Sequence, residues 1–273
     1  MEKIYFAHWL ANQKTYEKIW NQIHDALAKV GQEPHFIEIA NDFWIRDFMP
    51  VRRHDGKYVI YNYNPDYLQG KNSCYVTNCK EAFDSIAPEG LTTVETNLVI
   101  DGGNVILARD KFGEECVIMT DKVLDENPAL VPIEILSKLE RAFDASVILI
   151  PWDTDDFCGH SDGMVRCIGE GKLLINCYTD LGAKRISYHL HKILSDRFDV
   201  IELSYGKYHR EKSWCHLNYL ELPDAILMPI ANIASDREAG RIISGLLGKP
   251  VIPIAMSTLI RKGGAMHCIS WEM

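Results

Sequence analysis

Six side chains in this sequence could together act covalently on a cation: Asp47, Asp101, His160, Asp162, Asn218 and Cys268. Cys268 lies in "GGAMHCISW" (263–271), just after a glycine pair that permits close backbone approach. A thiol becomes a nucleophile when a nearby base or cation favours the thiolate. His160, in "CGHSDGMVRC" (158–167), has the chemistry to do that and later to serve as general acid. Cys–His acyl transfer would also want an orienting Asn or Asp, but not two extra carboxylates. Two carboxylates suit a planar guanidinium, whose N–H fork they accept in bidentate pairs.

Each residue also has a plainer reading. Asp47 beside Arg46 is equally an ion pair at a strand end. His160 could be a turn histidine satisfied by backbone. Asp162 precedes Gly163, and "DGG" at 101–103 is a turn signal in its own right. Asn218 could simply satisfy backbone groups, and Trp44 could be core. Cys158-x-His160-x-Asp162 offers alternate metal-ligand types, but no second Cys/His cluster accompanies it. No metal and no cofactor are expected.

These residues need elements to bring them together. Five β-rich runs recur: "HFIEI" (35–39), "TTVET" (92–96), "SVILI" (146–150), "DVIEL" (199–203) and "PVIPI" (250–254). A second series interleaves: "KIYFA" (3–7), "KYVIYN" (57–62), "ECVIMT" (115–120), "KLLINC" (172–177) and "DAILMP" (224–229). The repeat is about 55 residues long, and internal periods of that size mark repeat architectures.

From each second-series run to the next first-series run lies a helix candidate. Ile19, Ile23, Leu27 and Val30 share one helical face ahead of Gly31. Ile186, Leu190, Ile193 and Leu194 form another such face, and "LVPIEILSKLERAF" (130–143) a third. Ser235 and Glu238 make a capping-box pattern ahead of Ile242, Ile243, Leu246 and Leu247. "CKEAFDSIA" (79–87) is weak, so a short helix is expected there.

Five equal units favour closure into a ring, which removes exposed sheet edges; an ordinary α/β sheet is the alternative. After each first-series strand comes a third segment holding the unusual residues: 42–51, 99–107, 158–167, 214–222 and 263–271. Rotation would bring these segments to one axis. The expected architecture is one α/β domain over 1–273, a five-fold pseudosymmetric propeller of ββαβ-type repeats around a central pocket.

The net charge of −9 argues against non-specific nucleic-acid binding. No apolar run approaches the roughly 18 residues of a membrane span, and "MEKIYFAHWLANQK" does not read as a signal peptide. The eight cysteines then read as reduced thiols in a cytoplasmic protein. Homo-oligomerisation is left open.

The motifs "WIRDFMP" (44–50), "DGGN" (101–104), "GHSDG" (159–163) and "GGAMHCIS" (263–270) resemble those of the guanidine-modifying, or pentein, superfamily. Within it the chain is most similar to agmatine deiminases and related bacterial peptidylarginine deiminases. The motifs stand in family order and span nearly the whole chain. The resemblance implies a ring of five ββαβ-type units. It implies Cys268 as nucleophile, His160 as general acid/base, and Asp47 and Asp162 as guanidinium-gripping carboxylates. It implies that Trp44 walls the pocket and that Asp101 and Asn104 lie at its floor, although the family usually has glutamate at the position of Asp101. Asn218 matches a family asparagine loosely.

The implied reaction turns a guanidinium into a ureido product plus ammonia through a Cys-linked amidino intermediate. Agmatine is the expected substrate, which would place the reaction in polyamine biosynthesis. No arginine lies between Arg53 and Arg109, so the loop "YNYNPDYLQGKNS" brings no guanidinium to a substrate carboxylate. Arginine or peptidylarginine deimination, amidino transfer and a non-catalytic binding role are the alternatives. The chain is shorter than typical agmatine deiminases and lacks their Trp-Pro opening motif.

Overall fold

The computed structural model describes residues 3–178, 184–204 and 212–273. Strands β1 (Ile4–Ala7) and β2 (Pro34–Ile37) form a parallel pair. The second sheet holds β3 (Val51–Arg52), β4 (Tyr58–Asn62) and β5 (Thr93–Val99). The third holds β6 (Ile106–Arg109), β7 (Glu115–Thr120) and β8 (Ser146–Ile150). The fourth holds β9 (Val165–Cys167), β10 (Lys172–Asn176) and β11 (Asp199–Leu203), and the fifth β12 (Leu220–Glu221), β13 (Ile226–Ile230) and β14 (Val251–Ala255). The last strand, β15 (Trp271–Glu272), returns to pair antiparallel with β1 and completes the first sheet.

All five sheets share one plan. A short strand runs antiparallel to the middle one, and the middle one runs parallel to the third. A parallel pair requires a crossover, and a helix supplies it each time. These helices are Glu17–Lys29, Cys79–Asp84, Pro132–Phe143, Lys184–Leu194 and Asp236–Leu247. The middle strands are almost wholly buried, which is why they read as apolar runs without alternation.

Helix Glu17–Lys29 buries Ile19, Ile23, Ala26 and Leu27, while Val30 caps it in a non-helical conformation. Gly31 follows at φ +68°, a turn that glycine adopts without strain. Cys79–Asp84 is short, as expected, and Asn78 caps it by accepting the Glu81 N–H. The Ser235–Glu238 capping box does not form. Ser235 has helical backbone angles (φ −79°, ψ −14°), and its hydroxyl makes no cap bond. Asp236 instead accepts the N–H groups of Ala231 and Ile233, and Glu238 turns to Arg241.

Short helical turns precede four of the antiparallel strands: Ile45–Phe48, Gly102–Asn104, Ser161–Gly163 and Ser213–Leu217. The turn at 263–270 precedes the fifth. The fold thus sets every segment singled out for its chemistry at the same point of its unit. Among the described residues, no helix is long and apolar enough to cross a membrane.

Candidate active site

Cys268, His160 and Asp162 border one cavity of ≈ 640 Å³, together with Cys158, Trp214 and Phe157. Cys268 Sγ lies 3.3 Å from Asn218 Oδ1 and 3.8 Å from Asp162 Oδ2. Asn218 fixes this corner. Its Oδ1 accepts the backbone N–H groups of His267 and Cys268, and its Nδ2 donates to Asp162 Oδ2 at 2.9 Å. Asn218 thus satisfies backbone groups and aligns the cysteine at once.

Asp162 is fully enclosed, yet its carboxyl is held below the usual range. Burial opposes this, but the His267 Nδ1–H donated at 2.7 Å and nearby positive charge prevail. His267 itself is pushed down to about 4 by burial and by Arg46 and Arg166, so it is a neutral donor.

His160 sits among carboxylates. Its Nε2 lies 2.8 Å from Asp101 Oδ2, and its Nδ1 faces Asp47 Oδ1 at 3.5 Å, beyond hydrogen-bonding length. Burial alone would lower the imidazole pKa. Asp47 and Asp101 outweigh it and hold the ring well above its ordinary value. Asp47 is raised well above a normal carboxyl by burial and by its acidic neighbours Asp101 and Asp162. Its Oδ1 is buried and accepts no hydrogen bond. Asp47 does not pair with Arg46, whose guanidinium goes to Glu272. Gly103 makes this crowding feasible, because a Cβ there would lie 2.6 Å from both Asp47 Oδ1 and His160 Nδ1.

Asp101 sits behind His160, and its Oδ2 also accepts the Tyr67 hydroxyl at 2.9 Å. Asn104 Oδ1 accepts the N–H groups of Thr120 and Ser161, tying the end of β7 to the His160 turn. Trp44 lies beside Gly264, next to the cavity-lining Gly263. It packs on Phe43 and so tightly over Gly264 that a Cβ there would meet the ring at 2.1 Å. The tryptophan that borders the cavity is Trp214. Cys268 has a thiol raised well above normal by burial and by Asp162 and Asp47.

Three neighbours escaped the sequence reading. Tyr67 reaches the site from the 64–75 loop, which the ion pair of Asp66 with buried Lys122 anchors. His267 stood in plain view beside Cys268 but carries no signal of its partner Asp162. Trp214 lay inside a segment already singled out. Only aromatic content marked it.

The model of the Porphyromonas-type peptidyl-arginine deiminase family matches residues 6–273. The chain belongs to this family. Its members act as deiminases on the guanidine group. No curated protein sequence matches the chain. Among solved structures, agmatine deiminase of Enterococcus faecalis aligns at TM-score 0.75 and 18% identity, over 99% of this chain and 92% of that one. The C. jejuni agmatine deiminase aligns at 0.73 and 19%, with the same coverage. A dimethylarginine dimethylaminohydrolase aligns at 0.59 and 15% over the whole of both chains. At such identities these likenesses establish a fold shared with pentein deiminases, and the matched family model carries the membership.

Proposed function

We propose that this family member is a guanidine deiminase whose five sheets stand as blades around a central axis and whose substrate is agmatine. The observation that carries the activity is the buried, unbonded Asp47 Oδ1, set beside His160 in a site shared with Asp162 and Cys268. A guanidinium supplies the N–H donors that such an oxygen lacks. Bound between Asp47 and Asp162, it also offsets the two charges that raise the Cys268 thiol, and so favours the thiolate.

The thiolate then forms a bond to the guanidinium carbon. His160, held protonated by Asp101, donates its Nδ1 proton to the departing nitrogen as the C–N bond breaks and ammonia leaves. The neutral imidazole next takes a proton from water, which attacks the amidino carbon. The C–S bond breaks as the remaining hydroxyl proton passes to solvent and the carbonyl forms, giving a ureido product and free thiolate. Trp44 and Asn104 act here by shaping the site, and Asn218 by aligning Cys268.

Asp153, Asp155 and Asp156 border the same cavity and favour a substrate positive at both ends, while Arg261 and Lys262 offer a carboxylate partners on another part of its wall. A panel of agmatine, arginine and a peptidylarginine, assayed for ureido product and ammonia, tests the reading. Agmatine should give the highest kcat/KM, and ammonia should appear without any amine acceptor. A requirement for an acceptor would mean amidino transfer instead.

The pH dependence follows from His160. Asp47 and Asp101 raise its pKa, so the ring stays protonated to higher pH than an ordinary imidazole. Activity should therefore persist above the ordinary imidazole range and fall as pH rises through the raised value. Asp101→Asn removes one of the raising charges, so the alkaline limb should move to lower pH. An unmoved limb in that variant would separate Asp101 from the acid.

Tyr67→Phe removes a hydrogen bond to the same carboxylate, worth about 1.5–3 kcal/mol when the acceptor is charged. We expect kcat/KM to drop about tenfold with unchanged circular dichroism. Full activity would mean that Tyr67 only packs.

A further inference from the structure

A second cavity, of ≈ 360 Å³, lies on the other side of the residues that form the active site. The antiparallel strand of every sheet contributes to its wall, through Val51, Leu107, Arg166, Glu221 and Glu272. Neighbouring residues divide between the two spaces. Cys268 borders the first and His267 the second; Met164 borders the first and Arg166 the second. The segments that carry these residues therefore border both spaces.

The second cavity is electropositive. Its two glutamates each have a cation in hand: Arg46 binds Glu272, and Lys249 Nζ donates to Glu221 at 2.7 Å. Arg166 makes no ion pair among the described residues. Its guanidinium carbon rests 4.4 Å from the centroid of the Tyr219 ring, which holds the fork in place. His267 gives Nδ1–H to Asp162, and the ring borders this cavity. The positive field is felt at His267, where Arg46 and Arg166 both disfavour protonation against the opposing pull of Asp162.

We propose that this rear cavity binds a small oxyanion of the carboxylate, sulfate or phosphate class, with Arg166 as its anchor. A planar fork held on an aromatic face suits bidentate recognition of such a group. An anion there adds negative charge beside His267, the hydrogen-bond partner of Asp162, and so acts on the active site without entering it. The proposal stands whichever guanidine is the substrate.

The test is calorimetric titration of the full chain with sodium sulfate against sodium chloride at matched ionic strength. Saturable heat specific to sulfate is expected. Arg166→Gln should weaken binding about tenfold or more, while Arg261→Gln, on the wall of the active-site cavity, leaves it unchanged. Should Arg166→Gln fail to fold by circular dichroism, Arg166→Lys keeps the charge without the fork and should still weaken binding severalfold. Absence of saturable heat overturns the proposal. So does binding that survives loss of Arg166, or binding that depends on Arg261.

Discussion

Cys268→Ser should reduce turnover by about 10⁴-fold or more while the protein stays folded. Catalytic nucleophiles removed singly have costs of that order or larger. An alcohol is far less ionised than a thiol, whose ordinary pKa is about 8.5. The thiol here starts higher still, because burial, Asp162 and Asp47 all oppose the thiolate. On the proposed mechanism the substrate's own charge ionises the thiol, and that help would not bring a serine hydroxyl within reach. The exchange of oxygen for sulfur is nearly isosteric, and the backbone bond from Arg46 N–H to the Cys268 carbonyl is untouched. Ureido product at the wild-type rate from the purified variant would end the nucleophile assignment.

Asp162→Asn and Asp47→Asn should each lower kcat/KM by about 100-fold or more. Leaving a buried charge without its partner costs roughly 3–5 kcal/mol, and tenfold corresponds to about 1.4 kcal/mol. At Asp162 the loss has two sources, since its Oδ2 accepts from both His267 and Asn218 as well as facing Cys268. Stability and chemistry must therefore be read separately, as activity per folded molecule with unfolding followed on its own. Asp47 is the cleaner case, because it has no ion pair with Arg46 to lose. Asp84→Asn, at an exposed helix position, is the control and should do little. Asp66, equally outside the motifs, is no such control, because it neutralises buried Lys122. Near-wild-type specific activity in either site variant would remove that aspartate from guanidinium recognition.

The repeat was legible because the middle strand of each sheet is buried and apolar, and because the last strands, although only partly buried, are rich in β-branched residues. "SVILI" and "DVIEL" match β8 and β11 residue for residue. The antiparallel strands were not legible as strands. β3, β12 and β15 have two residues each, too few for any period to register. What betrayed their positions was the unusual chemistry of the turns before them. Cys268, His160 and Asp162 could be grouped because they occupy equivalent places in successive units. Tyr67, His267 and Trp214 could not, since their importance lies in contacts across long sequence separations. Trp44 was expected at the pocket wall because it stands in a motif. Its ring packs against Gly264, a contact that no spacing in the sequence announces.

The pairing of β15 with β1 carries a consequence for the order in which the chain is made. Synthesis proceeds at about 5–20 residues per second, N-terminus first, so β1 emerges long before its antiparallel neighbour exists. Until then the first sheet has an open edge, the kind of surface that templates unwanted pairing. Cys268 and β15 arrive together, three residues apart. The cysteine proposed as nucleophile thus emerges only three residues ahead of the strand that seals that edge, and any shorter nascent fragment lacks both.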